Sequence, residues 1–185
     1  MIEDVLTHTR ERMEKSVAAT RQEFTSLRTG RANPALLDRV VVNYYGAPTP
    51  LRQLASIGAP EPRLLTVTPF DKSVFKDIER AIAEAELGFN PSNDGVMIRL
   101  PVPELTEERR KDMVKLARKM AEEGRIAVRN VRRDAIGDLK KTQDAGDATE
   151  DQVRDGEKDI QKITDEHVAS IDEALKSKEA EIMEV

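Results

Sequence analysis

All nine prolines of this chain fall between Pro34 and Pro103, and residues 1–33 and 104–185 contain none. Proline lacks an N–H donor and its ring clashes with the preceding turn, so a helix interior excludes it. The chain must therefore fold as two helix-permissive arms around an insert that cannot be one long helix. The insert also holds both tyrosines, Tyr44 and Tyr45, and three of the four phenylalanines, Phe70, Phe75 and Phe89. Aromatic residues suit strands, so a small strand-containing domain is expected there. At about 75 residues it can hold a small core.

Charged residues make up 35% of the chain and aromatics 3%. A disordered acidic chain can share that composition, but the apolar residues here are periodic, which favours long helices. The absence of cysteine rules out disulfides, thiolate metal sites and a cysteine nucleophile. The first residues, MIEDVLTHTR, lack a basic run followed by an apolar one, so no signal peptide is expected. No apolar stretch reaches membrane-spanning length, and a cytoplasmic protein is expected. The net charge of −5 is unevenly spread. Residues 106–146 carry twelve Lys/Arg against eight Asp/Glu, net +4, and residues 147–185 carry five against thirteen, net −8. An acidic total therefore does not exclude nucleic acid, because binding depends on a local patch.

Apolar spacing predicts three long helices. The first runs from about Ile2 to Arg28 with a seam of Ile2, Leu6, Met13, Val17, Phe24 and Leu27, and Thr29-Gly30 supplies its stop. The second is capped by Thr106, carries Glu107 and Glu108 in its first turn, and runs to about Asp144. Its seam reads Met113, Ala117, Met120, Gly124, Ala127, Val131, Ala135 and Leu139. After a turn at Ala145-Gly146-Asp147, Thr149 to Gln152 form a capping box. The third helix follows with Val153, Gly156, Ile160, Ile163, His167, Ile171, Ala174, Lys178 and Ile182. These seams can close as an antiparallel three-helix bundle. Gly124 and Gly156 lie on seams despite a propensity cost of about 1 kcal/mol each. Close helix approach and tolerated small residues both explain them.

In the insert, strands are expected at residues 39–45, 54–57, 64–68 and 96–100, with a helix over 71–86 ended by Gly88 and a turn cluster at 90–95. Two crossings join it to the bundle, near residues 29–33 and 101–105. A double connection permits bending and prevents free tumbling.

On a helical wheel with Arg118 at 0°, Lys111, Lys115, Arg125, Arg129, Arg132, Arg133 and Lys140 fall between about −40° and 60°. Only Glu122 dilutes this band, and the seam centres near about −130°. A solvated helix face usually mixes signs to gain i,i+4 pairs, and a one-sign row forgoes them. Arginine dominates its centre, and the planar guanidinium suits phosphate. The pattern points to phosphate-backbone binding. No aromatics interleave with it, so a folded RNA surface fits better than stacked single-stranded bases.

A phosphate loop, a His-Glu-x-x-His pair and a G-x-S-x-G elbow are all absent. His167 sits on a seam and reads as a packed core-edge residue. No carboxylate pair is marked out as acid and base. No enzymatic activity, cofactor or metal is expected.

Several strings, taken in order, carry a resemblance. Arg28-Thr29-Gly30-Arg31-Ala32 stands at the first crossing, then Tyr44-Tyr45-Gly46 and Pro50-Leu51-Arg52-Gln53-Leu54-Ala55. Leu105 to Lys111 open the second helix, and Val128 to Ala135 lie within the basic row. Together they resemble the bacterial ribosome recycling factor family over essentially the whole chain. A family string usually reading D-L-G-L-N-P appears here as Glu86-Leu87-Gly88-Phe89-Asn90-Pro91. The resemblance implies an L-shaped, two-domain α+β fold, with a three-helix bundle and an inserted β/α/β domain joined by flexible hinges. It implies a monomer whose bundle lies on large-subunit ribosomal RNA after termination, with elongation factor G and GTP then driving the subunits apart. It assigns RNA contacts to Arg129, Arg132 and Arg133, with Arg28 and Arg31 near the bundle end. It places the hinges at Thr29, Gly30, Arg31 and Ala32 and at Val102, Pro103, Glu104, Leu105 and Thr106. The bundle is then expected from residues 1–30 and 105–185, and the insert from 31–104. The rival reading is a structural or chaperone-like coiled-coil protein with a globular binding tip, which leaves the arginine row unexplained.

Overall fold

The computed structural model describes residues 1–184. It shows an α+β chain that divides into two compact units, residues 1–24 with 114–185, and residues 25–113. The division falls inside the second long helix, so residues 25–30 and 105–113 belong with the insert.

The first unit is built from α1 (Ile2–Thr25), most of α3 (Glu107–Asp144) and α4 (Glu150–Met183). Facing residues fix the directions. Thr20 of α1 meets Gly124 of α3, and Arg12 reaches Asp134, so α1 and α3 run antiparallel. Arg118 reaches Glu179 and Arg125 reaches Asp172, so α3 and α4 are antiparallel too. The core holds Met13, Val17, Val128, Leu139, Ile160, Ile163, Ile171 and Ile182. Buried Thr9 and Thr20 fill the gaps in the α1 seam, and their hydroxyls donate to Val5 O at 2.6 Å and Ser16 O at 3.0 Å. Satisfied in this way, a hydroxyl can be buried cheaply. The seam lysine Lys178 is also buried, and its Nζ lies 3.4 Å from Glu181.

Both seam glycines mark levels where three helices converge. A Cβ on Gly124 would overlap the Thr20 hydroxyl and stand 3.2 Å from Ile171 Cδ1. A Cβ on Gly156 would stand 3.0 Å from Leu139 Cδ1 and 3.4 Å from Ile2. Close approach, rather than tolerance, explains them. The caps form as expected. Thr106 Oγ1 accepts from Arg109 N at 3.1 Å, and Thr149 and Gln152 exchange both capping-box bonds.

Two expectations need correction. The first helix ends at Thr25, not near Arg28, and Arg28 lies beyond it against the Phe89 ring, both in the second unit. On α3, Ala121 and Val128 are fully buried while Met113, Met120 and Ala127 are only partly so. The buried face therefore centres near about −95° on the wheel, not −130°.

The second unit contains a hairpin, β1 (Val41–Tyr44) with β2 (Ala47–Pro50), and an antiparallel sheet in the order β3-β4-β6-β5. Tyr45 and Gly46 turn the hairpin with φ of 48° and 83°, as a two-residue turn of twist-matched hand requires. β2 carries Pro48 and Pro50, which hid it from the sequence reading, and it is an edge strand, where proline is tolerated. The sheet comprises β3 (Ala55–Glu61), β4 (Leu64–Pro69), β5 (Ser92–Asn93) and β6 (Ile98–Pro101). β5 falls within the expected turn cluster at 90–95. Leu65 and Val67 of β4 and Ile98 and Leu100 of β6 alternate into the core, where α2 (Phe75–Glu84) adds Ile78, Ala81 and Ile82. Glu86 takes a φ of 49°, so the helix stops before Gly88 is reached.

Candidate nucleic-acid interface

Because the buried face of α3 lies closer to the cationic band than the spacing suggested, the band's near edge is drawn into the bundle. Arg125 is only 18% exposed and ties two helices together. Its Nε donates to Asp172 of α4 at 2.7 Å and its Nη1 to Glu122 at 2.8 Å. The Asp172 hydrogen bond, above all, raises its pKa further. Arg118 donates through Nε to Glu179 of α4 at 2.7 Å. Arg129 is half exposed and reaches Glu122 at 3.4 Å.

Toward the C-terminal end the band is different. Arg133 and Lys140 are exposed and, among the described residues, have no ion pair, and the same holds for Lys115 nearer the start of the helix. Arg132 is half-buried, and its Nε is buried without a hydrogen-bond partner. The rest of its guanidinium makes no ion pair among the described residues and suits a planar bidentate acceptor such as phosphate. Lys111 lies in the second unit and pairs with Glu107 at 3.4 Å.

The row is less pure than its spacing on one helix suggests: besides Glu122, Asp172 and Glu179 of α4 neutralise two of its arginines. A partial signal for both was available: an antiparallel hairpin folded about the turn at 145–148 sets residues at similar distances from that turn near one another. Arg118 and Glu179, and Arg125 and Asp172, match in this way to within about one helical turn.

In the second unit, the Arg28 guanidinium carbon lies 6.0 Å from the centroid of Phe89, and its Nη1 would stand 3.3 Å from a Cβ on Gly88. The Phe89 ring thus gives Arg28 a face to rest on. Arg31 is exposed beside Ala32, Pro60 and Pro62.

Both candidate hinge segments are fastened to one turn, the β3–β4 hairpin tip. Ala32 N donates to Pro62 O at 2.7 Å and Val102 N to Arg63 O at 2.8 Å. Arg63 also bridges to Glu104 at 2.7 Å. Thr29, Val102 and Leu105 are buried, and Gly30, with a φ of 78°, passes against Leu105. Pro103 and Thr106 complete the second segment, with Thr106 serving as the α3 cap. No described helix is long and apolar enough to cross a membrane.

The family model described as Ribosome recycling factor matches residues 20–183. The chain is 58% identical to the ribosome-recycling factor of Bacillus velezensis and 57% identical to that of Bacillus subtilis, over the full length of both partners in each case. It is 56% identical to that of Rubrobacter xylanophilus over 94% of each chain. A solution structure of ribosome recycling factor superposes with a TM-score of 0.77 at 38% identity, covering 100% of this chain and 98% of that one. Another, at 46% identity with a TM-score of 0.69 and full coverage of both, is of the T. thermophilus factor, described with E. coli elongation factor G bound to the E. coli post-termination complex.

Proposed function

This chain belongs to the ribosome recycling factor family, and from that premise we propose that it binds the post-termination ribosome and, with elongation factor G and GTP, splits it into subunits. The grip is on large-subunit RNA. Lys115, Arg129, Arg132, Arg133 and Lys140 of α3 supply it, Arg118 and Arg125 serve the bundle, and Arg28, Arg31 and Lys111 are further candidates that belong to the second unit. The single observation that carries this reading is the run of cations at Arg132, Arg133 and Lys140 that has no acidic partner among the described residues. Such a run repels itself unless a polyanion covers it.

The chain works as a cytoplasmic translation factor and monomer, with no chemistry of its own. The second unit carries the partner-driven step, and the segments 29–32 and 102–106 are where the chain bends. Both are tied to one turn, Pro62–Arg63, so they move together, and their few loop residues absorb the change in backbone angles. A structural or chaperone-like coiled coil would give these unpaired cations nothing to do.

The test is to incubate post-termination ribosomes with the protein, elongation factor G and GTP, omitting each in turn, and to separate the products on a density gradient. Free subunits only in the complete mixture support the reading. Splitting without this protein, or none in the complete mixture, overturns it.

A further inference from the structure

Between Lys111 and Lys140, Glu122 is the one carboxylate within the angular limits of the cationic band, and it bridges two of that band's arginines. Its Oε2 accepts from Arg125 Nη1 at 2.8 Å, and its Oε1 stands 3.4 Å from Arg129 Nη1. A phosphate presents two free oxygens to paired guanidinium groups in the same way. The two partners are held unequally. Arg125 is 18% exposed and has Asp172 as well. Arg129 is 52% exposed, as is Glu122, and has no other partner among the described residues. A pair so exposed and so long is weak and exchanges readily.

The effect of Glu122 is local. Arg132 lies about 15 Å further along the helix axis and Lys140 about 27 Å, at 1.5 Å per residue. Screening in physiological salt has a length of about 8 Å. Glu122 therefore cancels the middle of the band and leaves its C-terminal half untouched. A flexible polyanion that spreads over any cationic surface loses the middle section. A folded RNA surface that also seats on Arg132, Arg133 and Lys140 loses only part of its grip, the contact at Arg129.

We propose that Glu122 is a specificity-determining residue of the RNA face, a built-in competitor that occupies Arg129 and suppresses binding to polyanions lacking a fixed shape. Specificity through an unfavourable element is a general device of interfaces. This inference rests on the RNA-binding reading given above.

The test compares Glu122→Gln with Glu123→Gln in the full-length protein. Glutamine keeps the size and helix propensity of glutamate and removes its charge. Glu123 is exposed, falls about 140° round the wheel from Arg118, and has no ion pair among the described residues. Both variants change net charge equally, so a whole-molecule charge effect would move them together. Dissociation constants are measured against poly(U) and against the isolated large ribosomal subunit over a range of salt. Glu122→Gln should tighten poly(U) binding by about three-fold and steepen its salt slope by about one, with a change at the large subunit less than half as large. Glu123→Gln should move neither. Equal effects of the two variants, equal tightening on both ligands, or no change with Glu122→Gln would overturn the inference. Arg133→Ala, measured alongside, separates the two readings. If it leaves large-subunit affinity unchanged, the RNA-face reading falls and this inference with it. If it weakens that affinity while Glu122→Gln leaves the ratio of the two ligands unaltered, only the inference falls.

Discussion

Arg125 and Arg133 share one helix face and do different work. Arg125 joins α3 to Asp172 of α4 and is mostly covered, whereas Arg133 is open to solvent and pairs with no carboxylate among the described residues. Truncating Arg125 to alanine removes two charge-assisted hydrogen bonds and should cost the bundle about 1–2 kcal/mol, read as a lower melting temperature. Arg133→Ala should stay within about 0.5 kcal/mol of the parent and weaken binding to the large subunit instead. Equal stability losses would make both arginines structural. The cationic band was legible in the sequence because it repeats on one helix, at a spacing fixed by helix geometry. Which members are neutralised depends on the register of α3 against α4, because their partners sit on α4, some fifty residues away along the chain, and the hairpin turn gives that register only to within about one helical turn.

Among the elements, the long helices declared themselves through seams and caps, and the small strands did so only in part. β4 and β6 alternate cleanly, so their positions could be read. β2 holds two prolines and β5 only two residues, and neither leaves a pattern that separates it from a turn. The glycines on the helix seams announced an exception to propensity without saying why, and the reason lies in the neighbouring helices. Gly124→Ala should therefore destabilise the bundle by about 1–2 kcal/mol, although alanine alone would gain about 1 kcal/mol of helix propensity. Adding Thr20→Ala should recover most of the loss. A rise in melting temperature with Gly124→Ala alone would contradict the close approach. In the second unit, Asp94 accepts backbone hydrogen bonds from Met97 and Val96 at 2.9 and 3.0 Å, and these, Met97 first, hold its pKa below the ordinary 3.8. A carboxyl depressed on folding stabilises above its unfolded value and loses that contribution as pH falls through the folded one. Thermal melts below about pH 4 should thus fall more steeply for the parent than for Asp94→Asn, and parallel profiles would count against the role.

For the molecule as a whole, the confinement of proline to residues 34–103 made the two-part plan readable before any strand was placed. The point of division was less legible, because α3 runs through it without a break, its first turns packing with the second unit. Deleting residues 33–101 and bridging the gap should leave a bundle that folds, since its buried core is supplied by its own three helices. It should still bind the large subunit and fail to split ribosomes, as judged by circular dichroism, ribosome pelleting and gradient separation of subunits. Retained splitting would remove the role given to the second unit. The central claim, that the unpaired C-terminal half of the α3 band grips ribosomal RNA, is tested most directly by one measurement, the salt dependence of large-subunit affinity for the Arg132→Ala/Arg133→Ala double variant. Weaker binding, with the salt slope reduced by about two and helicity unchanged, is the predicted result. Affinity and slope equal to those of the parent protein would contradict it.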